Sequence, residues 1–143
     1  YLYVVLEGVQ RGYCLQGERE ITVAFTYAPS YSGIPESFLS QQPSAYFLET
    51  LTDSRFLRIS RESLSKLCDK HHMVARWGRL IAEGVLIGLA SRQREIMAFS
   101  AGEKFKAFMS RSRHLLQQIP HKYIASYLAM QPETYSRHLK NWQ

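Results

Sequence analysis

The sequence predicts an α+β chain in three parts: a strand-rich barrel or sandwich, one long helix and a C-terminal pair of short helices. Three observations carry that expectation. Runs of alternating or β-branched residues recur about every ten positions through the first 60 residues. A proline-free stretch from His72 to about Met97 keeps its apolar residues at 4-3-4-3-4 spacing. Ile119 to Trp142 reads IPHKYIASYLAMQPETYSRHLKNW, two amphipathic segments split by a proline. The expected boundaries are residues 1–70, 71–98 and 99–143.

Tyr1 to Leu6 is a β-branched and aromatic run that stops at Glu7-Gly8. Arg11 to Leu15 resumes the strand pattern, and Gln16-Gly17-Glu18 makes a turn. Glu20 to Phe25 alternates polar and apolar residues, as a half-buried strand does. Pro29, Gly33 and Pro35 break the next stretch, and Glu36 to Ser40 fits a single helical turn. Tyr46 to Leu51 and Arg55 to Ile59 give two more strands. Many short strands with regular turns indicate a β-barrel or sandwich. The chain opens inside a strand without a start methionine, so residues upstream of Tyr1 are expected; a barrel would otherwise lack an edge. Ser60 then N-caps a helix from Arg61 to Asp69.

In the long helix, Met73, Trp77, Leu80, Gly84, Ile87 and Ser91 form a heptad seam. Gly84 and Gly88 each cost about 1 kcal/mol in a helix interior, a cost that suits close approach of two backbones. The seam is expected to meet a second copy of the chain. It could also pack on its own barrel, and a long helix can do both with two faces.

In the final pair, Ile124, Ala125, Tyr127 and Leu128 give the first helix its apolar face. Pro132 suits the first turn of a new helix, Gln131 stands at its N-cap, and Glu133 complements its dipole. Tyr135 and Leu139 face inward, while Thr134, Arg137, His138 and Lys140 are expected outside. This is a helix-turn-helix pattern, in which the second helix enters a DNA major groove. Charge agrees: residues 1–99 hold 11 Lys/Arg against 10 Asp/Glu, whereas residues 100–143 hold 7 against 2. The excess of the net +6 therefore sits with the helix pair, where phosphate contacts need it.

Other classes find no support. Cys14 and Cys68 lie far apart without a CxxC, so neither a zinc site nor a disulfide framework is expected. Reduced thiols and the lack of a signal-peptide pattern suggest a cytoplasmic protein. No apolar run approaches the ~20 residues of a membrane span. The five histidines show no metal-ligand spacing, and no nucleophile pattern, P-loop or GxGxxG occurs, so no enzyme is expected.

The order of short strands, one-turn helix, long helix and basic helix-turn-helix resembles the Crp/Fnr family of transcription regulators. Tyr3-x-Val5-x-x-Gly8 is similar to a strand and turn of that family's cyclic-nucleotide-binding-like β-roll, a jelly roll. Ile119 to Lys140 aligns with its helix-turn-helix without a gap, and Glu133-Thr134 and Arg137 match the core of its recognition helix. Lys122 to Leu128, Pro132-Glu133-Thr134 and Ser136-Arg137 resemble the branch common in Bacteroidetes. The resemblance implies a homodimer on two-fold-symmetric double-stranded DNA, with RNA polymerase as a further partner. Glu133 would accept from a cytosine amino group and Arg137 would donate to guanine. Thr134 and Lys140 would touch phosphate, with Lys122, Ser136 and His138 completing the DNA-contacting set. Pro132 stands where many members carry a base-reading arginine. The C-terminal unit would be of winged-helix type, and members often continue beyond the point that corresponds to Gln143.

The effector pocket implied by the resemblance is Gly33, Ile34, Glu36, Ser37, Ser44 and Ala45. The family's nucleotide-binding members use Gly-Glu and Arg-Ser-Ala, whereas this chain has Gly33-Ile34 and Pro43-Ser44-Ala45. Proline cannot replace a guanidinium on a phosphate. The expectation is the cyclic-nucleotide fold without ordinary cAMP affinity, its effector open. The alternative is a nucleotide or small-molecule binding module whose last helices are structural or bind a protein.

Overall fold

The computed structural model of the protein describes residues 1–142. Strands β1 (Leu2–Glu7), β2 (Val9–Gln16), β3 (Arg19–Tyr27) and β4 (Ser30–Ser32) precede helix α1 (Pro35–Ser40). Strands β5 (Tyr46–Thr50) and β6 (Arg55–Ile59) follow, then helices α2 (Arg61–Lys70) and α3 (His72–Ala98). Two three-stranded antiparallel sheets result, ordered β4-β1-β6 and β3-β2-β5. The chain crosses from one to the other at Gly8, whose φ of +89° favours glycine. A Cβ there would lie 2.2 Å from Ser54 Oγ and 2.4 Å from the Asp53 carbonyl, so only glycine fits against the β5–β6 loop.

Two strands differ from expectation. β2 starts at Val9, directly after Gly8, because one glycine suffices for the corner. Between Pro29 and Gly33, expected to break all structure, β4 forms; its Ser30, Tyr31 and Ser32 pair with Val5, Val4 and Tyr3. Prolines flank this short edge strand without interrupting its ladder. Ser60 caps α2 as expected, its hydroxyl accepting from the Ser63 N–H at 3.0 Å.

Residues 99–118, to which the sequence assigns no element, form α4 (Ala101–Ser112) and a 3-10 helix (Arg113–Gln117). A capping box starts α4: the Ser100 hydroxyl accepts from the Glu103 N–H while the Glu103 carboxylate accepts from Ser100 N–H. Hydrogen bonds from Ser100 hold the Glu103 carboxyl below its ordinary pKa. Helices α5 (His121–Tyr127) and α6 (Pro132–Trp142) close the chain.

The main core lies in this C-terminal part. Phe105, Phe108 and Met109 of α4 bury against Leu115, Ile124, Leu128 and Tyr135. Val9 of β2 belongs to the same cluster, and Phe25, Tyr27 and Leu51 pack on it. The β3-β2-β5 sheet therefore closes the helical core from one side.

Candidate nucleic-acid interface

The turn between α5 and α6 is a Schellman motif. The Met130 N–H donates to the Ala125 carbonyl at 3.0 Å, and the Ala129 N–H donates to the Ser126 carbonyl at 3.0 Å. Ala129 takes the left-handed position usually given to glycine, with φ +53°. Ala125 and Met130 are buried, the apolar pair that accompanies this motif. The Gln131 carbonyl accepts from the Tyr135 N–H at 3.0 Å, so Gln131 is the N-cap and Pro132 the first helical residue of α6.

Tyr135 anchors α6 inward, 2 % exposed and 5.8 Å from the Phe105 ring. Burial pushes its pKa up to about 12, and its hydroxyl has no hydrogen-bond partner among the described residues. Glu133, Ser136, Arg137 and Lys140, spaced i, i+3, i+4, i+7, share the outer face and line a shallow groove with Pro132 and Asn141. Among the described residues, neither Arg137 nor Lys140 forms an ion pair. Their charges are therefore available to an external anion.

One expected member of this face turns elsewhere, and a second is half-buried. The His138 ring stacks on Phe105 at 5.7 Å and 24°, half-buried, its Cε1 3.6 Å from where a side chain on Gly102 would begin. An aromatic surface beside position 138 draws the flat ring off the solvent face. Thr134 is also half-buried. Lys122 is exposed, but its ammonium lies 4.9 Å over the Tyr123 ring, in a groove shared with Arg19, Glu20 and Pro132.

A buried ion cluster, not anticipated from the sequence, joins α3 to the helix pair. The Glu95 carboxylate, 9 % exposed, accepts from both terminal nitrogens of Arg111 on α4 and, at 3.2 Å, from Arg92. Arg92 also donates to the Tyr127 carbonyl and lies 3.8 Å over the Tyr127 ring. Burial alone would raise the Glu95 pKa, but the two arginines outweigh it and hold the carboxyl below its ordinary value. The signal was present: an acid in the last turn of a helix opposes the dipole and needs cationic partners.

The α3 seam divides. Trp77 turns to its own roll, its ring edge-on to Tyr31 at 5.6 Å and its N–H donating to the Tyr31 hydroxyl at 3.3 Å. Met73, Leu80 and Ile87 stay exposed, as do Leu86, Leu89 and Met97 outside the seam. Side chains on Gly84 and Gly88 would meet nothing within 4 Å, so no close approach among the described residues explains them.

Of the expected effector residues, two line a cavity and the others do not line it. Gly33 and Ile34 line a cavity of about 230 Å³ between the roll and α3, walled by Leu2, Phe38, Trp77 and Ile81. Glu36 and Ala45 are exposed. The Ser37 hydroxyl donates to the Gln42 carbonyl at 2.8 Å, and the Ser44 hydroxyl accepts from the Tyr46 N–H at 2.9 Å. The Ser37 O–H is thus engaged by its own loop, and no basic side chain lines the cavity. Among the described residues no cluster could hold a metal ion, Cys14 and Cys68 are free thiols, and no helix is long and apolar enough to cross a membrane.

No protein-family model matches the chain, and no curated protein matches it in sequence. Solved structures do match in shape. FixK2 of Bradyrhizobium japonicum superposes with a TM-score of 0.84 at 24 % identity, over 98 % of this chain and 73 % of that one. A chain from Eubacterium rectale, assigned to the Crp/Fnr family of transcriptional regulators, gives 0.73 at 20 % identity, over 99 % and 68 %. The c-di-GMP-responsive global regulator CLP of Xanthomonas campestris gives 0.63 at 18 %, over 99 % and 76 %. The chain has the Crp/Fnr fold. The superposition on FixK2 extends over the roll, the long helix and the helix pair, 98 % of the chain.

Proposed function

We propose that this chain is a homodimeric, sequence-specific DNA-binding transcription regulator of the Crp/Fnr family. Its units are the roll (residues 1–70), the dimerisation helix (71–98) and the DNA-reading helices (99–143). One observation carries the reading: Arg137 and Lys140, without ion pairs among the described residues, share the outer face of a helix that follows a tight left-handed turn. Arg137 reads guanine and Glu133 a cytosine amino group, while Lys140 meets phosphate. Met73, Leu80 and Ile87 of α3, with the open backbone at Gly84, form the two-fold contact. The operator is then a palindrome with half-sites about one helical turn apart. The effector pocket is apolar, and cAMP is not its ligand.

The test is binding to genomically selected operator DNA across a salt series. Several phosphate contacts give a steep fall of log K with log salt. Arg137→Ala costs about 1–3 kcal/mol on the operator and relaxes discrimination at one base pair. A variant that binds the operator as tightly as wild type removes the assignment. A small-molecule binding module is the second reading, favoured by the apolar cavity beside α3; it predicts no salt-dependent DNA affinity.

A further inference from the structure

An arginine in the middle of a strand is a costly residue to bury. Arg11 of β2 is nonetheless 1 % exposed. Its Nε and one terminal nitrogen donate to Glu49 of β5, its register partner, at 3.0 and 2.6 Å. The same terminal nitrogen donates to Glu20 of β3 at 2.6 Å. Those acids are themselves about half exposed, at 42 % and 44 %, so they do not bury the arginine. Two aromatic rings do. The guanidinium carbon lies 4.4 Å from the Tyr13 ring on its own strand and 3.8 Å from the Tyr123 ring on α5.

A second contact stands one helical turn further on. Where the β2–β3 register slips between Gly12 and Tyr13, the Thr22 N–H donates to the Ser126 hydroxyl of α5 at 3.0 Å. Two directional contacts one turn apart fix both the rotation of α5 about its axis and its height on the sheet. Helix α6 follows, because Ala125, Met130 and Tyr135 bury in one core with the rest of the pair.

We propose that Arg11 is a positioning residue: from the roll it sets the orientation in which the helix pair is presented. The inference rests on the regulator reading above for its consequence, DNA binding, but not for its geometry. Lysine cannot do the same work. A planar guanidinium stacks on two faces and forks to two carboxylates, whereas an ammonium is a hydrated point charge.

The experiment uses the full chain with Cys14→Ser and Cys68→Ser, and spin labels at Asp69→Cys and Gln118→Cys. Doubly labelled protomers are diluted into unlabelled dimers. Without DNA, the label-to-label distance should be one narrow population, and Arg11→Lys and Tyr123→Leu should each broaden it. Tyr123→Phe keeps the ring and should leave it narrow. On operator DNA, Arg11→Lys and Tyr123→Leu should weaken binding about tenfold or more, with sedimentation as a dimer and the salt slope unchanged. An unchanged distance distribution in both variants, or unchanged operator affinity in both, overturns the proposal. Should the wild type bind no DNA while the variants still broaden, the regulator reading falls and the positioning role stands.

Discussion

Glu95→Ala should cost about 2–3 kcal/mol of stability, and the structure says why it is neither less nor more. Removing one member of a buried ion pair typically costs ~3–5 kcal/mol, because a charge is left without its partner. Arg111 is 44 % exposed and can rehydrate, so its share resembles the ~0–1 kcal/mol of a surface pair. Arg92 is 16 % exposed but keeps the Tyr127 carbonyl and ring, so its charge is not wholly orphaned. The remainder is the loss of charged hydrogen bonds, ~1.5–3 kcal/mol each in favourable cases. Arg111→Ala should therefore cost clearly less than Glu95→Ala. Urea unfolding at fixed protomer concentration measures both, with Trp77 reporting the roll side and Trp142 the helix pair. The same carboxylate sets a pH dependence. Its folded pKa lies below the ordinary 4.5, so its contribution is present above that value and is lost as pH falls through the folded pKa. The gap between wild type and Glu95→Gln should narrow below about pH 4.5. A loss under about 0.5 kcal/mol for Glu95→Ala, or equal losses for the two alanine variants, would refute this account.

Further outcomes follow from single positions. Ala129→Gly relieves a left-handed backbone that costs an L-residue ~1–2 kcal/mol, so it should raise the denaturation midpoint, offset in part by added chain entropy. Tyr135→Phe removes a buried hydroxyl without a protein partner and should be neutral or stabilising by up to about 1 kcal/mol. Because burial raises the Tyr135 pKa, ionisation disfavours the folded form. Wild type should lose stability between pH 10 and about 12, and Tyr135→Phe should lose less of it. Ile87→Asp, on an exposed position, should leave the circular dichroism unchanged and shift sedimentation from dimer to monomer; a dimer of unaltered strength would remove Ile87 from the interface.

Much of the architecture is legible in short-range pattern. Gly8 ends the first strand through its own left-handed backbone, and Ser60 caps its helix and Pro132 opens the last one through neighbours within four residues; that only glycine fits at position 8 depends on Ser54, far away in the chain. The α4 capping box, Ser100 with Glu103, is equally local and passes unnoticed only because the apolar spacing around it is short. Side-chain direction is a different matter. His138 has the composition of an outer-face residue, but Phe105, more than thirty positions away, takes its ring.

By itself, then, the sequence determined the order of strand-rich part, long helix and helix pair, the Ser60 cap, the Pro132 start and the cationic outer face of α6, but not β4 or α4 with its capping box. Periodicity and capping are rules of local backbone geometry, and charge adds up wherever it is placed. Only the tertiary structure decided how the helix pair sits on the roll. Thr22 meets Ser126 across 104 positions, Arg11 is enclosed by a ring on α5, and Glu95 draws two arginines together at the end of α3. It likewise put Gly33 and Ile34, but not Ser44 and Ala45, on the wall of the cavity beside α3. Such contacts have no period to read, because they depend on which surfaces remain to be buried once each local element has formed.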